Sequence, residues 1–159
     1  MKKLNRGKLT SLNEIRVADN IAECLYDPTT GRLRKPGLIL AHATSTPVGD
    51  PEEAKALYRV FGEELRDIDL TALKSYIGHL LGGSGSFNIA AAVQSIMTGE
   101  IPHILNLENP DPKIPHIEDF NFVEDNFLYK PVHSVLAPAY GFGGFASSVL
   151  IEKYIPRAA

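Results

Sequence analysis

The stretch from Leu38 to His79 constrains the fold of this chain more than any other feature. It opens with a short apolar run, Leu38 to Ala41, which stops abruptly at His42 and is soon followed by three hydroxyl residues. Such a run predicts a short buried strand, and strand ends are where α/β folds place reactive groups. Towards the end of the stretch, Lys74 precedes His79 by five residues. Two imidazoles and an ammonium group in these positions predict a site that handles developing negative charge.

Helical and strand patterns alternate along the rest of the chain, which favours an α/β fold. Apolar spacing predicts helices over 13–25, 51–65 and 78–98 and strands over 38–41, 68–73, 102–105, 132–139 and 145–154. Asp50 is expected to cap the second helix, with Pro51 in its first turn. The third helix is expected to bury Phe87, Ala90, Ala91, Ile96 and Met97, and its glycines at 82, 83 and 85 indicate close packing. Residues 106–130 predict an extended surface loop.

The composition limits the class of protein. The chain has 159 residues, 44% of them hydrophobic, which suits one domain or half of a larger one. A net charge of −3 argues against a broad nucleic-acid-binding face. No apolar run approaches the roughly 20 residues that span a bilayer. A single cysteine, Cys24, allows no internal disulfide, so we expect a cytoplasmic protein without membrane contact.

Four segments follow one another in order: HATSTPVGD at 42–50, KSYIGHLLG at 74–82, NLENPDP at 106–112 and YGFGG at 140–144. Each is similar to a segment of the β-ketoacyl synthases, and their spacing resembles that family over nearly the whole chain, weakening before Asn13. The resemblance is to the C-terminal half of a thiolase-like fold. It implies a mixed β-sheet with helices on its faces, in a domain covering 13–159, after an arm or truncated element at 1–12.

The resemblance also implies a reaction and the residues that perform it. The chain resembles the C-terminal part of a 3-oxoacyl-[acyl-carrier-protein] synthase, an acyltransferase of fatty acid or polyketide synthesis that condenses a malonyl thioester with an acyl thioester. His42 and His79 would donate N–H groups to the enolate oxygen, and Lys74 would supply a positive charge near the second histidine. Thr44 and Thr46 match positions that bind the phosphopantetheine arm of acyl carrier protein.

The glycine-rich turn would complete the substrate site. By resemblance the amide of Tyr140 is an oxyanion donor and its ring an aromatic gate, while Gly141 and Phe142 line the approach of the thioester. The sequence departs from the family here, with Tyr140 for Phe, Pro138-Ala139 for Asn-Ser and Phe145-Ala146 for His-Asn. Ala43 also replaces a glycine, which is a mild change unless the residue has positive φ.

The nucleophilic cysteine of the family belongs to an N-terminal half that the matched segments do not include. Cys24 precedes the first histidine motif by only 18 residues and is interpreted as structural. We therefore expect the chain to act with a cysteine-bearing synthase half or to associate with itself, and to be inactive alone. Acyl carrier protein is the expected partner, with no bound cofactor.

Other functions stay open at this point. The chain could be a non-catalytic half-domain that binds acyl carrier protein or a synthase, or a malonyl-thioester decarboxylase acting through its histidines alone. Spacing gives no sign of a metal site. His103, His116 and His133 lack motif partners and are interpreted as non-catalytic.

Overall fold

The computed structural model describes residues 12–156. The predicted arm at 1–12 lies outside the described residues except for Leu12, where the first helix begins. No helix in the described part of the chain is long and apolar enough to cross a membrane.

Four helices and nine strands are described in residues 12–156, several of them very short. In chain order they are α1 (Leu12–Leu25), β1 (Tyr26–Asp27), β2 (Arg32–Leu33), β3 (Leu38–Leu40), α2 (Gly49–Phe61), β4 (Asp69–Thr71), α3 (Lys74–Ile77), α4 (Ser84–Thr98), β5 (Glu100–Ile101), β6 (Asn121–Phe122), β7 (Leu128–Tyr129), β8 (Ser134–Gly141) and β9 (Phe145–Glu152). Short 3₁₀ segments follow α2 at Gly62–Asp67, precede α4 at Leu81–Gly83 and lie at Ile117–Asp119.

A mixed five-stranded sheet forms the centre of the domain, with the strand order β6-β4-β3-β8-β9. The first four of these strands are parallel, and β9 returns antiparallel to β8. The register aligns Leu38 of β3 with Asp69 of β4 and with Val135 of β8. The parallel strands therefore end along one edge of the sheet, where loops can bring side chains together.

Successive side chains of the central strands point to opposite faces of the sheet, and those on both faces are apolar. Helices therefore cover both faces. Ile39 and Leu136 pack with Ile21 of α1 and Leu57 of α2 on one face. On the other face Leu38, Leu40 and Val135 pack with Ala92 of α4. The predicted α/β architecture, a mixed sheet with helices on its faces, is confirmed.

The long helix expected at 78–98 is the main difference from the prediction. Gly78 has φ of +70°, which ends the short helix α3, and α4 begins only at Ser84. Its buried residues are small or polar, whereas Phe87 and Met97, expected inside, are 39% and 77% exposed. The broad apolar face of α4 therefore points away from its own sheet.

Smaller differences concern element ends. The second helix begins at Gly49 with no side-chain cap, so the expected capping role of Asp50 is wrong. The strand expected at 102–105 lies instead at Glu100–Ile101, and the expected loop contains the short strands β6 and β7. A β1–β2 hairpin closes the turn after α1, where no strand was expected.

Candidate active site

His42 lies just beyond the end of β3 and is 9% exposed. Its Nδ1 accepts the backbone N–H of Tyr140 at 3.4 Å and faces Lys74 Nζ at 3.5 Å. Since two donors face Nδ1, the ring proton of the neutral imidazole belongs on Nε2. Burial, together with the smaller effects of the charges of Lys74 and His79, lowers the pKa of His42 to about 4. The imidazole is therefore neutral at pH 7 and presents Nε2–H as a donor.

Glu53 of α2 fixes the backbone around this histidine. Its Oε1 accepts the N–H of His42 and its Oε2 accepts the N–H of Ala43, both at 2.8 Å. The carboxyl group is buried, which raises its pKa to about 7 although these two hydrogen bonds and the charge of Lys74 lower it. We interpret the pair of bonds as a clamp on the strand end.

Sequence reasoning missed this role for Glu53. The sequence pattern places Glu53 only near the start of the second helix, where a negative charge favours the helix dipole. A signal was present, because Glu53 lies four positions before Leu57 on the buried side of α2. A carboxyl group on an apolar helix stripe needs a partner in the interior.

Ala43 has φ of +32°, and Ser45 has φ of +60°. These values lie in the region that favours glycine. The departure from glycine at position 43 is therefore a strained substitution and not a mild one. The clamp by Glu53 holds Ala43 in place, since the Ala43 N–H is one of its two donors.

His79 lies in the turn between α3 and α4 and is exposed. Its Nδ1 accepts the backbone N–H of Leu81 at 3.0 Å and lies 3.1 Å from Ser84 Oγ. Because Nδ1 accepts this hydrogen bond, a ring N–H is available on Nε2. The imidazoles of His42 and His79 are 5.8 Å apart between centroids and nearly perpendicular. The structure brings the two predicted histidines together.

Lys74 was expected near His79, but it contacts His42. Its ammonium group donates to the carbonyl oxygen of His42 and lies near Nδ1 of the same residue. Burial lowers the pKa of Lys74, while the charges of Glu53 and Asp50 raise it. Lys74 thus supplies a partly desolvated cation that opposes protonation of His42.

The hydroxyl groups of Thr44 and Thr46 lie 3.3 Å apart in the loop after His42. Thr46 Oγ1 accepts the N–H of Gly49 at 2.9 Å, and a Cβ at Gly49 would lie only 2.6 Å from that oxygen. Asp50 lies inside the first turn of α2, and its Oδ1 accepts the N–H of Ser45 in the preceding loop at 3.1 Å. The loop is therefore closed by hydrogen bonds and requires glycine at position 49.

The glycine-rich turn differs from its expected arrangement. The amide of Tyr140 donates to His42, its ring packs edge-on to that imidazole at 5.0 Å, and its hydroxyl oxygen is buried. That hydroxyl has no hydrogen-bond partner among the described residues, and burial holds its pKa well above the usual value. Phe142, by contrast, is 92% exposed at the tip, beside Gly141. The ring of Tyr140 is thus packed against His42, whereas the ring of Phe142 lies in solvent.

The remaining candidates lie in other surroundings. Cys24 is half-buried in α1, and burial raises the pKa of its thiol. His103 and His116 do have partners, contrary to expectation: Tyr76 Oη lies 2.8 Å from His103 Nδ1, and Tyr58 stacks on His116. No cluster of three or more possible metal ligands occurs within residues 12–156.

This arrangement can stabilise a negative charge that forms on oxygen. Two imidazoles lie side by side, each with Nδ1 occupied as an acceptor and Nε2–H available as a donor. Preorganised donors of this kind lower the energy of an oxyanion or enolate without any proton transfer from a charged acid. The site itself contains no nucleophilic thiol among the described residues.

Comparison with known proteins gives a consistent result. Residues 8–108 match the protein family described as "Beta-ketoacyl synthase, C-terminal domain". The chain is 37% identical over 116 residues to 3-oxoacyl-[acyl-carrier-protein] synthase 2 of Synechocystis sp., covering 73% of this chain and 27% of that protein. It is 38% identical over 122 residues to the chloroplastic 3-oxoacyl-[acyl-carrier-protein] synthase II of Arabidopsis thaliana, covering 73% of this chain and 21% of that protein.

Solved structures share the fold. A ketosynthase from module 1 of the bacillaene synthase of Bacillus amyloliquefaciens superposes with a TM-score of 0.75 at 26% identity, over 91% of this chain and 26% of that chain. A type II polyketide ketosynthase, solved in complex with its acyl-carrier protein, has a TM-score of 0.78 at 24% identity, over 91% of this chain and 34% of that chain. The present chain thus spans between about a fifth and a third of the length of these relatives.

Proposed function

This chain belongs to the β-ketoacyl synthase family as a C-terminal domain, and we propose that it supplies the histidine and lysine part of a condensing enzyme. The reaction is a decarboxylative Claisen condensation of malonyl-acyl-carrier-protein with an acyl thioester, in fatty acid or polyketide synthesis. One observation carries the proposal: His42 and His79 lie 5.8 Å apart, each with Nδ1 accepting a hydrogen bond.

The condensation requires neutral N–H donors at the decarboxylation step, where an enolate oxygen forms. Loss of CO₂ breaks the bond between the malonyl C2 and its carboxylate and leaves the electron pair as an enolate. The Nε2–H groups of His42 and His79 would hold the enolate oxygen. The enolate carbon then attacks the acyl group on a cysteine sulfur, a carbon–carbon bond forms and the thiolate leaves. Neither imidazole needs to gain or lose its proton in these steps.

Lys74 would act on the electrostatics of the site. Its ammonium group lies against Nδ1 and the carbonyl oxygen of His42, so protonating that imidazole would place two positive charges side by side. A protonated imidazole would itself attract the malonyl carboxylate. A neutral one leaves the carboxylate less stabilised than the enolate that replaces it, which favours decarboxylation.

Acyl carrier protein is the proposed substrate carrier, through its phosphopantetheine arm. Thr44 and Thr46 are proposed to hydrogen-bond that arm, and the hydroxyl of Thr46 lies in an exposed part of the loop. Gly141 and the exposed ring of Phe142 are proposed to contact the thioester. The cytoplasmic location stays part of the proposal, since a single cysteine suits a reducing compartment.

A second polypeptide segment must supply the nucleophile. The chain is therefore proposed to be inactive alone and active with a cysteine-bearing half. The exposed face of α4 is the surface proposed to receive that half, because Phe87, Val93 and Met97 are 39%, 42% and 77% exposed there. Apolar side chains grouped in this way indicate an interaction surface. Association of the chain with itself remains the other predicted use of that face.

The test is recovery of the native complex from its source under gentle conditions, followed by mass spectrometry. We expect a partner that carries the cysteine half, and condensation of malonyl and acyl thioesters by the pair. His42→Ala and His79→Ala should each lower condensation at least 100-fold, by removing an enolate donor. His133→Ala, which changes an exposed histidine outside the site, is the matched control.

Two results would contradict the proposal. If both histidine variants kept full condensation activity in the reconstituted pair, the site would be wrong. If the chain were recovered only with acyl carrier protein and no condensation occurred, a non-catalytic binding role would replace the enzymatic one.

A further inference from the structure

Ser84, the first residue of α4, lies against the second histidine of the candidate site. Its Oγ is 3.1 Å from Nδ1 of His79. The serine is 7% exposed, although the imidazole itself is exposed. A serine at the start of a helix often caps the free backbone N–H groups, but no side chain caps α4. Among the described residues, the hydroxyl group of Ser84 therefore has His79 as its only hydrogen-bond partner.

The direction of this hydrogen bond follows from a third group. The backbone N–H of Leu81 donates to the same Nδ1 atom at 3.0 Å. A backbone amide can only donate, so Nδ1 of His79 must be without a proton. The hydroxyl group of Ser84 could in general donate or accept, but facing an unprotonated nitrogen it must donate. Nδ1 of His79 thus accepts from two donors, and the ring N–H lies on Nε2.

The first histidine is held in a similar way. Nδ1 of His42 faces the backbone N–H of Tyr140 at 3.4 Å and the ammonium group of Lys74 at 3.5 Å. Each imidazole of the pair therefore meets one backbone donor and one side-chain donor. The family resemblance predicts Lys74 beside His79, whereas the structure has Ser84 in that place. The second histidine thus has a neutral side-chain donor where the first has a charged one.

We propose that Ser84 is a positioning residue for the condensation and acts through His79, an inference that rests on the proposed function. An exposed imidazole can turn about its side-chain bonds, and a single contact with the backbone leaves part of that freedom. The buried hydroxyl group of Ser84 fixes the ring from a second direction. Hydrogen bonds in a chain also polarise one another, so a second donor on Nδ1 makes Nε2–H a stronger donor to the enolate oxygen.

The first test measures the hydrogen bond in the chain alone. Ser84→Ala removes the hydroxyl group and is compatible with α4, because alanine favours a helix. Nitrogen NMR of the imidazoles is recorded at about pH 8.5, where an ordinary imidazole is neutral. Two controls carry the same substitution in the same helix. Ser86→Ala changes an exposed serine, and Ser95→Ala changes a serine that is buried like Ser84.

In the wild type we expect Nδ1 of His79 to resonate as an unprotonated nitrogen that accepts hydrogen bonds. In Ser84→Ala this resonance should move downfield, towards that of a nitrogen without hydrogen bonds. Both controls should keep the wild-type resonance. A wild-type His79 with its proton on Nδ1 would overturn the proposal, and so would a Ser84→Ala resonance equal to that of the controls.

The second test measures condensation in the reconstituted pair. Loss of one neutral hydrogen bond corresponds to about a two- to tenfold change, so Ser84→Ala should lower kcat by that factor and leave KM for the malonyl thioester unchanged. The two control variants should keep the wild-type kcat. An unchanged kcat in Ser84→Ala, or a loss confined to KM, would overturn the positioning role. His79→Ala separates this result from the proposed function: full condensation by that variant would contradict the proposed function, whereas the NMR comparison tests the bond from Ser84 independently of activity.

Discussion

The buried carboxyl group of Glu53 accepts the backbone N–H of His42 at 2.8 Å, across eleven positions of the chain. The bond joins α2 to the end of β3, and the second oxygen of Glu53 holds Ala43 in the same way. Glu53 therefore positions the imidazole of His42 through its backbone, from the buried side of the strand end. This relationship couples the stability of the strand end to the ionisation of a carboxyl group.

The first prediction concerns stability against pH. The pKa of Glu53 is raised from 4.5 to about 7, so the folded state holds a proton that the unfolded chain releases between those values. The contribution of Glu53 to the free energy of unfolding therefore falls as pH rises, by up to about 3 kcal/mol. The pKa of His42 is lowered from 6.5 to about 4, so its contribution is present above pH 6.5 and is lost as pH falls towards 4. Between pH 4.5 and 6.5 the two residues therefore change the free energy of unfolding in opposite directions as pH rises.

Glu53→Gln should remove the contribution of Glu53 and leave the pH dependence that His42 gives to the free energy of unfolding. The wild-type free energy of unfolding should change little between pH 4.5 and 6.5, whereas that of the variant should rise. Urea denaturation at four pH values measures this, with Glu64→Gln, an exposed carboxyl group, as the control. Parallel profiles for Glu53→Gln and wild type would show that the carboxyl group has no coupling to folding.

The second prediction concerns the tautomer of His42. Nitrogen NMR of the chain at pH 6 should show Nδ1 without a proton and Nε2 protonated, because Nδ1 accepts from Tyr140. The titration midpoint of His42 should lie near 4. Lys74→Met should raise the midpoint but leave it below 6.5, since burial is the larger cause of the shift. A wild-type midpoint near 6.5 would contradict the buried, neutral imidazole.

The sequence was sufficient for four strands of the central sheet, which rest on local patterns, and for the two histidines, which lie in motifs that resemble a known family. An apolar run ending at His42 defines β3, and the glycine-rich turn defines the β8–β9 hairpin. The clamp by Glu53 and the contact of Lys74 with His42 could not be predicted, since both depend on where α2 and α3 lie over the end of the sheet. Helix spacing indicates which residues share a face but not which face meets the sheet, and this is why Phe87 and Met97 were placed inside.

The third prediction concerns Ala43. A φ of +32° is higher in energy for alanine than for glycine. Ala43→Gly should therefore raise the free energy of unfolding by about 0.5–1 kcal/mol, although glycine has more conformational freedom in the unfolded chain. Ala91→Gly, within α4, is the control and should destabilise by about 1 kcal/mol. Urea denaturation measures both. Equal losses in the two variants would mean that Ala43 is not strained.

The fourth prediction concerns the loop that carries the threonines. A Cβ at Gly49 would lie 2.6 Å from Thr46 Oγ1 and 3.1 Å from Thr44 Oγ1. Gly49→Ala should therefore displace both hydroxyl groups and destabilise the chain by about 1–3 kcal/mol. Gly83→Ala is the control, since its Cβ would make only an ordinary contact with Leu80 at 3.5 Å. Thermal unfolding should separate the two variants, and similar midpoints would argue against a closed threonine loop.

The last prediction uses the glycines before and within α4. A Cβ at Gly85 would meet no atom of another element of the described chain within 4 Å, so the close packing expected from the sequence does not occur at this glycine. If the face of α4 receives the cysteine-bearing half, that space is filled in the complex. Gly85→Ala should then leave the chain alone as stable as the wild type or up to about 1 kcal/mol more stable, because alanine favours a helix. The same substitution should weaken binding to the other half at least tenfold in a titration by calorimetry. Glu23→Ala, at an exposed position of α1 away from α4, should bind as the wild type does. Unchanged binding by Gly85→Ala would mean that the partner covers some other surface and that the glycines have no packing role.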